Sequence, residues 1–495
     1  MFARRPFLTR WLAALAVSAS PLAAALVAAG TSTAAHAAAD TPTPLTPATS
    51  PEQVDVPPIL FVHGNGDSAA LWSTTLWRFE SNGWPRDRLF AVDLPYPQAR
   101  DDDNKEQPGR SSTTEQRDQL GAEIDRVLAA TGASMLVLFG NSRGGLAIRN
   151  VLAHGGAAGK VSHAILAGTP NHGVWAAAGF RPGNEFNGAG PFLKGLNTLK
   201  GADGKPLPDS ADPATGVEVT PGPKWLTLRS DNNDKFAQPD GTWLGNKDIK
   251  TQVTAEGPAL KGAENIVLPG RDHHETAFHP EAFAAAYRFI TGRAPTHDIT
   301  PEDKIVLDGR VTGVTGAGPT NLALVGAKVS VYAVDVATGQ RLGEALIDNK
   351  TITEDGHWGP LQTDSHTGLE FVVTPTLAAL STTHIYRSPF ARSSSLVHLR
   401  PERLFDMEKG AKAVVVLARP RGYFGLPRDT IVLDGRNPPP GITTGVAGAA
   451  ISRLEAKEVD RSVVGEFRSG AIHERVAGWV WPARDKHISV LELHH

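Results

Sequence analysis

Residues 135–145 read M-L-V-L-F-G-N-S-R-G-G. The run Met135–Phe139 has no polar face, as a strand buried on both sides requires. It ends in Gly140-Asn141-Ser142-Arg143-Gly144, and a helix-compatible stretch follows. This is G-x-S-x-G between a strand and a helix. The flanking glycines permit a turn sharp enough to lift a serine hydroxyl above the end of a sheet. Ser142 is therefore the candidate nucleophile.

Outward from this point, strand-like and helix-like runs alternate over residues 58–298. Short apolar runs occur at Ile59–Val62, Leu89–Val92, Ala164–Ala167, Trp225–Leu228 and Ile266–Leu268. Residues 113–131 place Leu120, Ile124, Val127 and Leu128 on one helical stripe, with Ser112 and Glu115 spaced as a capping box. Phe283, Ala286, Tyr287 and Ile290 form a later stripe. Apolar strands alternating with helices predict an α/β fold, a doubly wound and mostly parallel sheet covered on both faces.

A serine hydroxyl needs a base, and the base needs an acid to orient it. In this context the expected chain order is serine, acid, histidine. Asp234, in R-S-D-N-N-D-K-F just past the run 225–228, is the candidate acid, with Asp231 and Asp93 as alternatives. His273, in L-P-G-R-D-H-H-E just past Leu268, is the candidate base, with His274 beside it as rival. His63-Gly64-Asn65-Gly66 follows the first strand run, where a loop offering backbone donors to an oxyanion belongs. The backbone N–H groups of Asn65 and Arg143 are the candidate donors, and His63 reads as a brace for the loop.

Other signals are weaker. His274-Glu275 and His279 miss the zinc-protease spacing, since i, i+5 does not share a helix face. No metal and no cofactor is expected. Residues 175–224 make a long insertion before the acid. Its Phe180, Phe186, Phe192, Leu193 and Leu196 are candidates for a lid or acyl-pocket wall. From residue 299 the pattern changes to period two: Val329, Val331 and Ala333 alternate with Lys328, Ser330 and Tyr332. The hexapeptide I-V-L-D-G-R occurs at 305–310 and at 431–436. Two β-modules are expected, 299–375 and 376–495. Trp479 and Trp481 read as core or sandwich-edge packing rather than a binding platform.

The chain has 49 Lys+Arg against 52 Asp+Glu, a net charge of −3, which argues against a nucleic-acid sleeve. It has no cysteine, which excludes disulfides, thiolate metal sites and a thiol nucleophile. Arg4-Arg5 followed by Phe7-Leu8, an Ala/Leu/Val-rich stretch and Ala35-His36-Ala37 resemble a twin-arginine export signal over residues 1–39. Residues 40–57, rich in Thr and Pro, read as an extended linker.

H-G-N-G-D-S-A-A-L-W at 63–72, G-N-S-R-G-G at 140–145, L-A-G-T-P-N-H-G at 166–173 and G-R-D-H-H-E at 270–275 together resemble the secreted bacterial lipases of the α/β-hydrolase superfamily, class 2 in particular. A hydrolase domain before a β-rich C-terminal part is similar to archaeal-type long-chain-ester lipases. The resemblance implies carboxylic-ester hydrolysis through an acyl-serine. Ser142 would be nucleophile, Asp234 acid, His273 base, and Asn65 and Arg143 the oxyanion donors. It implies an ester or lipid substrate, transient contact with a lipid surface, a monomer and no nucleic acid. Arg143 stands where such lipases often carry an apolar residue or Gln, which would put a cation near the pocket. Residues 299–375 resemble a transthyretin-like or carboxypeptidase-regulatory sandwich and carry no catalytic residue; packing against the hydrolase is the expected role. The same triad would also suit a polyester depolymerase or an acyltransferase. The reading from another class is a non-catalytic surface-binding protein.

Overall fold

The computed structural model describes residues 56–495, apart from 209, 232, 238–240, 244–245, 251–253 and 255. The expected leader 1–39, and the linker 40–57 up to residue 55, lie outside the described residues.

The first half builds a six-stranded sheet. Its strands are β1 (Ile59–Val62), β2 (Leu89–Val92), β3 (Leu136–Asn141), β4 (Val161–Ala167) and β5 (Lys224–Ser230). After a short hairpin, β6 (Thr242–Trp243) and β7 (Asn246–Lys250), comes the last strand, β8 (Glu264–Leu268). The order is β2-β1-β3-β4-β5-β8, and every pairing is parallel. The helices are α1 (Ser73–Ser81), α2 (Thr113–Thr131), α3 (Arg143–His154), α4 (Pro191–Leu196), α5 (Glu275–Phe278) and α6 (Pro280–Thr291).

Alternation along each strand feeds two cores. Leu60, Val62, Leu136 and Leu138 join Leu120, Ile124 and Val127 of α2 and Ile148 and Val151 of α3. Ile59, Phe61, Val137 and Phe139 join Phe79 of α1 and Phe283 and Ala286 of α6 on the other face. The expected capping box forms at α2: the Glu115 N–H donates to Ser112 Oγ (3.2 Å) and the Ser112 N–H to the Glu115 carboxylate (2.6 Å). The chain leaves β1 towards β2 and returns to β3 on the other side, so strand order reverses between β1 and β3. A crevice above that reversal is where such sheets place their sites.

The second half is β-rich. Its strands are β9 (Ile305–Leu307), β10 (Thr312–Thr315), β11 (Gly318–Ala323), β12 (Lys328–Val334), β13 (Ile347–Thr351), β14 (Leu361–Thr363) and β15 (Gly368–Thr374). There follow β16 (Thr382–Arg387), β17 (Ala413–Ala418), β18 (Thr430–Leu433), β19 (Ile451–Ala456), β20 (Ser462–Ser469), β21 (Ile472–Trp479) and β22 (His487–Glu492). One sheet runs β13-β12-β15-β16-β22-β17-β19, and β18-β20-β21 forms a smaller one. The expected boundary at residue 375 cuts through the larger sheet and is corrected. The last strand, β22, lies parallel between β16 and β17 and joins the two supposed modules. The repeated hexapeptide does not mark a duplication either. Its first copy pairs with β14 and its second with β20, and Asp434 takes φ 52° in a turn where Asp308 does not.

The β-rich part shares core with the hydrolase part. Trp77 of α1 is buried among Phe390, Phe371 and their neighbours, and its Nε1–H donates to the Ser393 carbonyl (3.0 Å). Trp481 also packs inward as expected: it stacks on His384 with ring centroids 4.2 Å apart and donates to the Tyr386 hydroxyl (2.8 Å).

Candidate active site

Ser142 stands between β3 and α3 with φ 53° and ψ −119°. A non-glycine residue there costs about 1–3 kcal/mol and persists only when its surroundings impose it. The imposition is visible. The Ser142 N–H donates to the Ala167 carbonyl at the end of β4 (2.8 Å), and a Cβ on Gly144 would collide with the carbonyl oxygens of Val62 and His63. Glycine at 144 lets the start of α3 lie directly on the end of β1. The α3 N-terminus therefore faces the crevice with its unpaired N–H groups.

Asp234 and His273 reach the same edge from β5 and β8. Asp234 Oδ2 lies 2.8 Å from His273 Nδ1, and its Oδ1 accepts the Phe236 N–H at 2.8 Å. The ring of Phe236 packs edge-on against the imidazole, 4.7 Å between centroids. His273 passes over Gly168, where a Cβ would sit 2.8 Å from the His273 carbonyl and 3.3 Å from Nδ1. Asn141 ties the pieces together, its Nδ2 donating to the carbonyls of Ala167 (3.1 Å) and His273 (3.3 Å). Ser142, His273 and Asp234 are 8%, 4% and 4% exposed, so the cluster is nearly closed to solvent. Among the described residues no hydrogen bond joins Ser142 Oγ to His273 Nε2. Such contacts commonly tighten only when substrate is bound.

The rivals have other partners. Asp231 Oδ2 accepts the Gly270 N–H (2.9 Å), pinning the loop that leads to His273. Asp93 accepts the Ala69 N–H (2.8 Å) and meets His398 Nε2 at 2.7 Å. His274 stacks on Tyr423, 4.8 Å between centroids, and among the described residues has no carboxylate within hydrogen-bond distance.

The loop after β1 lies against the serine: a Cβ on Gly64 would be 3.0 Å from Ser142 Cβ. His63 is fully buried. Its Nδ1 lies 2.9 Å from the Gly64 carbonyl, while Nε2 faces the Leu94 N–H (3.1 Å) and Asn321 Nδ2 (3.3 Å). Burial lowers its pKa, so it is a neutral brace. Asn65 Oδ1 accepts the Ala99 N–H (2.7 Å). The backbone N–H groups of Asn65 and Arg143 donate to no group among the described residues.

The Arg143 side chain departs from expectation. It is buried and turned from the crevice into a bidentate pair with Glu185, at 2.7 and 2.6 Å. It also donates to the Pro97 and Ser111 carbonyls and to Ser111 Oγ. Burial pushes the Glu185 carboxyl up, against the lowering pull of Arg143. The sequence reading of a cation beside the pocket is therefore corrected.

Glu185 belongs to the insertion, which is fastened rather than loose. Leu193 and Leu196 are buried against Leu146 of α3, with Phe186 and Phe192 at the margin. Phe180 packs edge-on with Trp175, 5.8 Å between centroids. A cleft beside Asp234 is lined by Gly168–Pro170, Ser230, Phe236 and Ala237 among others, and by none of the five insertion residues.

The C-terminal part supplies contacts that no local motif signals. Arg419, fully buried, donates to Asp272 (3.0 Å) and Glu275 (2.6 Å), the residues either side of the His273-His274 pair. Arg428 binds Glu275 (2.6 Å) and the Gly270 carbonyl (3.0 Å), and the Tyr423 N–H donates to Asp272 (2.8 Å). Glu275 is thus occupied by guanidinium groups, and among the described residues no group of three His, Cys, Asp or Glu is arranged to hold a metal. Asn321 of β11 reaches the other side, donating to the Asp67 and Leu94 carbonyls (both 2.9 Å).

Residues 59–286 match the Alpha/beta hydrolase family model, and residues 303–404 match the Lipase C-terminal domain model. No curated protein matches the chain. Among solved structures, the mature Bacillus licheniformis lipase BlEst2 is similar at 20% identity, covering 50% of this chain and 96% of that one, with a TM-score of 0.33. Its propeptide form covers 86% of this chain and 93% of that one at 14% identity and TM-score 0.31. The carboxylesterase CesB of Bacillus subtilis covers 48% and 85% at 16% identity and TM-score 0.25. The parallel sheet agrees with the first of these matches: residues 59–286 are similar to the Alpha/beta hydrolase family and residues 303–404 to a lipase C-terminal domain.

Proposed function

We propose that this protein is an exported serine hydrolase that cleaves carboxylic esters through an acyl-serine intermediate. Ser142 Oγ attacks the ester carbonyl while His273 takes its proton. Asp234 holds the Nδ1–H and stabilises the imidazolium that forms. The N–H groups of Asn65 and Arg143 receive the oxyanion, and one such donor is worth roughly 2.7–4 kcal/mol of transition-state stabilisation. His273 returns its proton to the departing alkoxide. A water deprotonated by the same imidazole then cleaves the acyl-serine, releasing the acid and restoring the hydroxyl.

The observation that carries this reading is the Ser142 turn at φ 53° after β3, together with the 2.8 Å Asp234–His273 contact between the loops after β5 and β8 of the same parallel sheet. A turn of that strain is hard to explain by packing alone. The paired arginines and apolar stretch of residues 1–39 support export. Hydrolysis of p-nitrophenyl esters of short to long acyl chain, by wild type and Ser142→Ala, tests the chemistry. The variant should lose about 10⁴–10⁶ of kcat while remaining folded. Unchanged hydrolysis in Ser142→Ala would overturn the reading.

A further inference from the structure

Beside the His273 imidazole lies a second pair of polar groups that the mechanism above does not use. Asp67 follows the candidate donor Asn65 by two residues, and His274 follows His273 by one. Asp67 Oδ1 accepts the Ser68 N–H (2.8 Å), but Oδ2 is buried with no hydrogen-bond partner among the described residues. His274 is held by its stack on Tyr423, and neither of its ring nitrogens makes a hydrogen bond among the described residues. Its Nε2 faces Asp67 Oδ2 at 4.0 Å, and the two side chains keep 15% and 17% of their surface open to solvent.

Buried polar atoms are nearly always paired. Four ångströms is too long for a direct bond and suits one bridging atom. An oxygen about 2.8 Å from each group subtends roughly 90° between them, close to the angle at which a hydroxyl donates and accepts. Burial lifts the Asp67 carboxyl to about 7 and keeps the His274 imidazole well below its ordinary range. A neutral imidazole and a carboxyl that titrates near neutrality accept an uncharged hydroxyl better than an ion. His273 gives its proton to the leaving alcohol, and the His274 ring lies 5.6 Å from the His273 ring, centroid to centroid. The pair therefore flanks the alcohol half of the ester.

We propose that Asp67 and His274 form a hydroxyl-binding subsite on the leaving-group side of Ser142, which selects esters whose alcohol part carries a free hydroxyl, such as monoesters of glycerol or of a diol. The subsite rests on the ester-hydrolase reading and deepens it.

The test compares kcat/KM for 2-hydroxyethyl butyrate and for propyl butyrate, its near-isostere without the hydroxyl, using the full chain. Wild type should favour the hydroxylated ester by ~10-fold, the scale expected when a partly buried site is built to bind a hydroxyl. His274→Phe keeps an aromatic ring over Tyr423 and removes both nitrogens; its ratio should fall towards one. Asp67→Asn, which retains the acceptor for the Ser68 N–H, should lower the ratio as well. Equal wild-type rates would overturn the subsite and leave the ester-hydrolase reading standing. So would a preference that survives in both variants, which is what a bridging water alone predicts. A preference that appears only when the hydroxyl is moved to the acyl half would overturn the leaving-group placement. Hydrolysis of neither ester by folded wild type would overturn both readings together.

Discussion

Three aspartates near the crevice look interchangeable in sequence, and the contacts of each decide its role. Asp234 meets the His273 imidazole, Asp231 holds the Gly270 N–H, and Asp93 meets His398. Asp234→Asn should leave the fold intact and lower kcat by about 10⁴, because the amide no longer holds the imidazole in the working tautomer. Asp231→Asn should cost under about 10-fold, through loop order alone. Steady-state kinetics of the two variants checks the assignment, and a reversed order of effects would move the acid to Asp231. The sequence left Asp231 and Asp93 beside Asp234, and His274 beside His273; the 2.8 Å contact joins Asp234 to His273. The direction of the Arg143 side chain was not legible. Its partner, Glu185, sits in a glycine-rich stretch without periodicity, so nothing local signals a buried carboxylate there.

At the scale of elements, the strands read well because they are apolar on both faces. Their central residues stand where the apolar runs placed them, and the ends moved by a few residues where polar residues such as Asn141 and Lys224 continue the ladder. The insertion was expected to form a lid or acyl-pocket wall; α4 is anchored by Leu193 and Leu196, Phe180 and Phe186 pack in one cluster with Phe236, and Glu185 is clasped by Arg143 beneath the Ser142 turn. That pair has side chains 0% and 2% exposed, so removing one partner strands a buried charge. Glu185→Ala should destabilise the protein by about 3–5 kcal/mol. The double variant Arg143→Met with Glu185→Leu should cost much less, since it leaves no unpaired charge. Thermal unfolding of both checks this; equal losses would mean that the pair is not electrostatically coupled.

Over the whole molecule, the β-rich part braces the loops that carry the site. Period-two patterning announced its strands, but not that β22 would close one sheet across both supposed modules. Those pairings join Thr382 to His487 and Val415 to Ser489, too far apart in the chain to leave a local pattern. Nor could the sequence show that Arg419 and Arg428 grip the His273 loop or that Asn321 grips the loop after β1. His398 makes another such link. Burial raises the Asp93 carboxyl, but His398, together with the Ala69 N–H and His63, more than offsets this and holds it below its ordinary 3.8. A carboxylate with a lowered folded value contributes stability that is present above about pH 4 and is lost as pH falls below it. The stability gap between wild type and His398→Gln should therefore narrow on acidification below about pH 4. A gap that stays constant in melting curves down to about pH 3 would contradict the link.

The central claim is that Ser142 is the nucleophile. The most direct measurement is peptide mass mapping of the full chain after reaction with a fluorophosphonate ester. A single phosphonyl adduct is expected on the peptide containing Ser142, absent from Ser142→Ala. An adduct on another residue, or labelling that persists in folded Ser142→Ala, would contradict it.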